Sequence, residues 1–186
     1  DVIHHHNISG FGLSALKNKA PCVLYTSHDY WLICPLGNLM RPNNHYCSHQ
    51  GNCFMCSLRA KKPLQIWRYC RSLEKKIGSV DYIIAPSEYM KDTILKHSNI
   101  KVPIVPILNF VPPPPIVKNN ICGYQYFLFV GILSFVKGIN HLINAYISIY
   151  KKIGIRLVIV GVGPLKKNIQ DRIINEGLQD SIILLG

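Results

Sequence analysis

Tyr126-Phe-Leu-Phe-Val-Gly131-Ile-Leu-Ser134-Phe-Val-Lys137-Gly138 is the stretch that decides the fold. Five apolar residues without a polar partner read as a strand buried on both faces. Gly131 breaks that run, and Ile139, Leu142, Ile143, Tyr146 and Tyr150 then recur at helical spacing. A strand that turns at glycine into a helix N-terminus gathers backbone N–H groups, and the helix dipole favours an anion there. Lys137 would add a point charge at the mouth of such a site. Glycine and lysine also serve plain turn geometry, so the pattern alone leaves anion site and simple turn both open.

The same rhythm continues downstream. Residues 156–160 read as a strand, and Pro164 suits the first turn of a helix carrying Leu165, Ile169 and Ile173. Gly177 closes that helix, and residues 181–185 form the last strand. Upstream, residues 2–6 and 21–26 read as buried strands. From 28 to 63 periodicity fails, and Pro, Gly, Asn and Cys dominate. Ile66, Cys70, Leu73 and Ile77 then mark one helix face that ends at Gly78. Residues 81–85 form a strand, Ser87 caps a helix carrying Met90, Ile94 and Leu95, and residues 102–108 form a further strand. Pro112-Pro113-Pro114-Pro115 can join neither a central strand nor a helix, and it marks the domain boundary. Apolar strands alternating with amphipathic helices imply parallel sheets covered on both faces. The expected fold is α/β with two Rossmann-like lobes, residues 1–111 and 123–186, joined by a proline-rich linker over 112–122. Both lobes read as incomplete, and the first carries a cysteine-rich loop insertion over 32–63.

The bulk numbers fit a folded chain. Of 186 residues 48% are apolar and only 16% charged, which excludes a disordered composition. The longest apolar run, 126–135, falls short of the about 20 residues that span a bilayer. No cationic leader precedes a cleavage site, and a chain opening at Asp1 inside a strand reads as one whose true N-terminus lies upstream. Lys and Arg number 21 against 9 Asp and Glu, a net charge of +12. Such an excess attracts phosphates, whether of nucleic acid, anionic lipid or a nucleotide sugar; a generally basic proteome would also produce it. The cations are spread out, with only pairs such as Lys61-Lys62 and Lys75-Lys76, so the nucleic-acid reading is the weaker one.

Seven cysteines form an odd set, which fits poorly with a complete disulfide framework. Cys34, Cys47, Cys53 and Cys56 stand as one distant cysteine followed by C-x5-C-x2-C. Four thiolates in a loop of low periodicity match a tetrahedral zinc site, with His45 and His49 as reserve ligands. Disulfides and an iron–sulfur cluster are the alternatives. A structural metal is the favoured reading because the loop otherwise holds little to order it. Cys22, Cys70 and Cys122 read as buried or spare residues.

Polar residues also gather at strand ends. Asp1-Val-Ile-His4-His5-His6-Asn7 closes the first strand, and Thr26-Ser-His28-Asp29-Tyr-Trp31 closes the second. Ligands of parallel sheets lie beyond the carboxyl ends of the strands. An isolated histidine is more often a structural one, bonded to backbone. Here two such strand ends occur in succession.

Taken together these segments resemble glycosyltransferase family 4. The family strand ends in Val-Gly-Arg-Leu, and a Lys-Gly pair opens the next helix. This chain supplies Gly131, Leu133, Lys137 and Gly138, with Ile132 in place of the usual arginine, so one cation expected to meet a diphosphate is absent. Val158-Ile-Val-Gly161-Val-Gly163-Pro164 is similar to the second strand and turn of the donor lobe. Asp81-Tyr-Ile-Ile-Ala-Pro-Ser87 resembles the end of the acceptor lobe, and Asn109 matches a Pro-Asn turn in which Leu108 replaces proline. The His-x-His-Asn and His-Asp-x-Trp segments are similar to those of the first lobe, and some relatives carry a cysteine group after the latter.

The resemblance implies a GT-B-type fold holding a nucleoside-diphosphate sugar between its two lobes. The implied enzyme is a retaining hexosyltransferase of glycan or glycolipid biosynthesis. Gly131, Ser134, Lys137 and Gly138 would bind the donor. His28 and Asp29 would be catalytic, and His4, His6 and Asn7 would line the acceptor side. The implied partners are the nucleotide sugar and a glycan, lipid-linked or small-molecule acceptor. The expected location is the cytoplasm, with the basic surplus suited to the inner membrane face. The resemblance omits a first glycine-rich loop, expected before Asp1, and a pair of glutamates, expected after Gly186. A fragment lacking them is expected to be inactive alone. The rival readings are a non-catalytic scaffold of the same fold and a zinc-stabilised, basic nucleic-acid-binding protein.

Overall fold

The computed structural model describes residues 1–17, 20–48, 52–70, 72–113 and 123–186. These fall into two compact units, Asp1–Pro112 and Pro113–Gly186. Most of the expected linker, together with His49 and Cys122, lies outside the described residues.

The first unit holds β1 (Val2–His6), β2 (Cys22–Thr26), β3 (Tyr82–Ala85) and β4 (Ile104–Pro106) in one sheet of that order. Every neighbouring pair is parallel, with Ile3 against Val23, Tyr25 against Ile83 and Ile83 against Ile104. Strand period two therefore puts Val23, Tyr25, Ile83, Ala85 and Ile104 on one face, where all are buried in a single core. The opposite face carries His4, His6, Leu24, Thr26 and Tyr82. Asp81 joins the middle strands from below: it donates its N–H to Val23 O (2.8 Å) and accepts from Val23 N–H through Oδ2 (2.7 Å).

Among the described residues this unit holds the α-helices α1 (Cys53–Arg59), α2 (Ser72–Ile77) and α3 (Glu88–His97). Ser87 caps α3 as its sequence suggests, Oγ accepting from Met90 N–H at 3.1 Å, and Met90 and Ile94 are buried. Two expectations change. α1 lies inside the stretch that reads as irregular, capped by Asn52, whose Oδ1 accepts from the N–H groups of Phe54 and Met55. The helix expected from Ile66 to Ile77 divides into a 3-10 turn, Ile66–Arg68, and α2. Leu73 and Ile77 are buried while Ile66 is 63% exposed. The division follows from Arg68, which turns inward onto the backbone of Trp31 and Leu32 instead of lying on a helix surface.

The second unit holds β5 (Tyr126–Val130), β6 (Arg156–Val160) and β7 (Ile182–Leu185), parallel and in that order. α4 (Ile139–Ile153) and α5 (Lys166–Asn175) connect them. Ile139, Ile143 and Tyr146 of α4 and Ile169 and Ile173 of α5 enclose Leu157, Ile159 and Ile182 in one core. Tyr146 pins the end of α4 to the sheet, its hydroxyl placed for the carbonyls of Ile155 (3.0 Å) and Ser181 (2.9 Å). The helices cover one sheet face. On the other, Leu128 is 56% and Val130 69% exposed, so the expectation of a sheet covered on both faces fails here among the described residues.

No helix of the described residues is long and apolar enough to cross a membrane.

Candidate active site

The donor-side residues of the sequence reading share one turn. Gly131 N–H donates to Val160 O (3.0 Å) and Leu133 N–H to Val162 O (2.9 Å), so the β5–β6 ladder runs on into both loops. Those loops touch backbone to backbone. A Cβ on Gly161 would stand 2.0 Å from Gly131 O, and one on Gly163 would stand 2.5 Å from Leu133 O. Only glycine permits that approach. Leu133 between them is wholly buried and anchors the turn.

After Ser134, whose side chain makes no capping bond, Phe135–Lys137 forms a 3-10 turn. Gly138 at φ 70° then reverses the chain into α4. Gly131 spends its own N–H on the ladder, and a Cβ there would meet only the Phe129 ring at 3.5 Å, so the closeness rests on Gly161 and Gly163. The first intrahelical bond of α4 is Leu142 N–H to Gly138 O, so the N–H groups of residues 139–141 precede the ladder as donors for an anion. Lys137 is exposed, and among the described residues it has no carboxylate partner. No acidic residue stands in the first turn of α4.

The first unit gathers histidines. Register sets His4 beside Leu24 and His6 beside Thr26, and His4 Nε2 lies 2.8 Å from Thr26 Oγ1. His6 Nδ1 lies 2.9 Å from His28 Nε2, with the two rings stacked at 5.2 Å. One ring of that pair must be neutral to accept. The pKa of His4 is lowered by burial first and then by His6, His28 and His5. His5 projects to the packed face of the sheet, its Nε2 buried without a partner among the described residues. Asn7 is occupied locally: at φ 47° it turns the chain, and its Oδ1 accepts from Ser9 N–H (3.2 Å) and Ser9 Oγ (2.6 Å).

Asp29 stands apart from the histidines. Its Oδ1 accepts from Trp31 N–H at 2.8 Å, and its Oδ2 packs 3.2 Å from the Cβ position of Gly37, itself at φ 75°. The carboxylate lines a cavity of about 530 Å³ together with Phe11, Trp67, Gln65 and Lys62. Aromatic faces beside a carboxylate and an amide suit a polyhydroxylated ligand, through apolar ring contact and directed hydrogen bonds. Phe11 and Trp67 escape sequence reasoning because no periodicity links them. Gly161 and Gly163 had a signal, the Gly-x-Gly after an apolar strand, although its role in closing on residues 131–133 needs coordinates.

The zinc expectation finds no support among the described residues. Cys34 and Cys47 are buried, Cys53 and Cys56 half-buried on one face of α1, and all four thiols are free. Among the described residues no three His, Cys, Asp or Glu side chains are placed to hold a metal. Burial, and then Cys34, Cys47 and Cys56, push the Cys53 thiol up, whereas Arg68 works against that rise. A cation therefore already serves this region. The Arg68 guanidinium lies over the rings of Trp67 (4.6 Å) and Trp31 (5.0 Å) and donates to the carbonyls of Trp31 and Leu32 and to Gln65 Oε1. Burial lowers its pKa to about 10, with Cys34 and Cys53 opposing that fall, and it stays charged at neutral pH. These bonds order the loop that the sequence left without support.

Comparison with known proteins follows the same division. Residues 1–113 match the profile of Glycosyltransferase Family 4, and residues 116–186 match that of Glycosyl transferases group 1. No curated protein matches. Among solved structures, TarM aligns over the whole chain and 32% of its own length, with 16% identity and a TM-score of 0.65. A mutant of S. aureus TarM in complex with Fondaparinux, alpha-GlcNAc-glycerol and UDP aligns over 95% of this chain and 31% of its own, with 14% identity and a TM-score of 0.62. The pneumococcal O-GlcNAc transferase GtfA in complex with UDP and GlcNAc aligns over 89% and 29%, with 16% identity and a TM-score of 0.53. This chain spans about a third of the length of these structures, and they share the GT-B fold with it. With more than half its residues matched by one profile, the chain belongs to Glycosyltransferase Family 4.

Proposed function

We propose that the protein of which this chain is part moves a hexose from a nucleoside-diphosphate sugar to an acceptor hydroxyl, with retention at the anomeric carbon. The observation that carries this reading is the interlocked pair of turns at 131–138 and 161–163, which opens α4 with donors and a lysine that have no partner among the described residues. The UDP bound by TarM and GtfA supports the donor class. As the bond from the anomeric carbon to the diphosphate oxygen breaks, charge grows on the leaving group. Lys137, Ser134 and the first turn of α4 meet that charge, and donors fixed before the reaction stabilise it most. The acceptor oxygen bonds to the same carbon, and its proton passes to the departing diphosphate oxygen. His28, held by His6, lies at a strand end suited to orienting the acceptor or the sugar, and His4 backs the pair. Asp29 acts through its cavity, where it would meet sugar hydroxyls.

The test is Lys137→Ala in the full-length protein. Turnover should fall about a hundredfold, the scale of removing one such donor. Unchanged kcat and KM for every nucleotide sugar would remove the turn from the mechanism.

A further inference from the structure

From residue 30 to residue 73 the sequence contains no Asp or Glu, yet it holds Arg41, Arg59, Lys61, Lys62, Arg68 and Arg71. Arg68 is committed inward. Arg41 and Arg59 are not: both line a cavity of about 520 Å³ between the 41–43 turn and α1, and neither has an ion pair among the described residues. The Nε of Arg41 is buried, and among the described residues it has no hydrogen-bond partner.

The other polar side chains around this cavity face the same way chemically. Asn52 gives its Oδ1 to the N–H groups of Phe54 (3.0 Å) and Met55 (3.2 Å), and Asn43 gives its Oδ1 to His45 N–H (3.4 Å). With both oxygens engaged, the amide NH₂ groups remain. Among the described residues every uncommitted side-chain nitrogen at the cavity is a donor, two of the side chains are cationic, and no carboxylate lines it. A buried guanidinium donor left unpaired is costly, and its planar fork matches an oxyanion. Two guanidinium groups with two amides exceed what one carboxylate accepts and suit the several oxygens of a phosphate.

We propose that this cavity is a phosphate-binding site, taking the phosphomonoester or phosphodiester of an anionic ligand through Arg41, Arg59, Asn43 and Asn52. Met55, also at the cavity, gives apolar contact for the carbon chain attached to that phosphate. The ligand is either a soluble phosphorylated molecule or a phospholipid headgroup. The site is independent of the transfer chemistry proposed above.

The experiment uses the full-length Lys137→Ala protein, in which the proposed donor-side turn has lost its cation, and reads Arg41 directly. Inorganic pyrophosphate at about millimolar concentration should shift the Arg41 Nε resonance and bind with measurable heat. The pair R41Q/R59Q should weaken binding at least roughly tenfold while keeping the melting temperature. Response to pyrophosphate assigns the site to phosphate itself. Response only to vesicles containing phosphatidylglycerol, and not to phosphatidylcholine alone, assigns it to a headgroup. Equal binding by R41Q/R59Q, or an Arg41 Nε resonance that moves with neither probe, overturns the proposal.

Discussion

The interlocked turns of the second unit and the cysteine-rich segment of the first are both loops beyond strand ends, yet they are held by opposite means. At 131–133 and 161–163 backbone lies against backbone, and the residues that matter are the ones without side chains. At 31–68 one cation stacks on two indoles and takes the carbonyls that no ladder reaches. The first kind of loop tolerates no added atom. The second tolerates no lost one.

The largest effect should therefore come from adding a single methyl. Gly161→Ala places a Cβ 2.0 Å from Gly131 O, a backbone atom that cannot move without breaking the β5–β6 ladder. Overpacking of this sort costs about 3 kcal/mol or more, and denaturant unfolding should show the second unit destabilised with the first intact. Gly163→Ala, at 2.5 Å from Leu133 O, should act in the same direction. Wild-type stability in both variants would mean that the loops separate in solution and that the contrast is false.

Removal of a side chain is the matching experiment in the other loop. Arg68→Met keeps much of the volume but deprives the carbonyls of Trp31 and Leu32 of their donor. The expected cost is roughly 2–3 kcal/mol from those unsatisfied groups, read by thermal unfolding and by a red shift of Trp67 fluorescence. Arg68→Lys should rescue little, because an ammonium lacks the planar face that lies against the two rings. Full rescue by lysine would reduce the role of Arg68 to charge alone.

The contrast also explains what the sequence reveals. Strands 2–6, 126–130 and 156–160, the Ser87 cap and the Gly177 stop are local patterns, and the parallel order follows from their alternation. The Gly-x-Gly at 161–163 is legible because only glycine fits against the 131–133 backbone. The cysteine-rich segment is not legible: α1 is too short for its periodicity to register, and Arg68 acts on residues 36 and 37 positions earlier in the chain. Four cysteines then read as the agent of order, whereas the contacts that tie the segment down run through an arginine and two tryptophans. Asn7 and Asp29 show a milder form of this, since their spacing marks a strand end but not the local turns that take part of each side chain.

A smaller effect should appear with pH in the first unit. The pKa of His4 lies below its ordinary value of 6.5 in the folded state, through burial and then the neighbouring imidazoles. The unfolded chain thus binds the proton more readily than the native one. Stability is full above 6.5 and declines as pH falls through that value, until the folded group also protonates. His4→Asn should flatten the dependence of melting temperature on pH over this window. An unchanged slope would assign the effect to other groups.

The smallest expected effect is the sharpest test of the comparison. If Arg68 orders the cysteine-rich segment, exhaustive dialysis against a chelator should leave the melting temperature and the Trp67 signal unchanged. A structural zinc site contributes about 10–16 kcal/mol to the fold it closes, so its loss could not pass unnoticed. The four thiols offer a parallel reading: a thiol reagent should titrate Cys53 and Cys56 before the buried Cys34 and Cys47, whereas metal-bound thiolates would be protected together until the chelator released them. Stepwise labelling with an unchanged melting temperature leaves the arginine as the organising group. Joint protection followed by collapse on chelation would make the cysteines the organising group and Arg68 their neighbour.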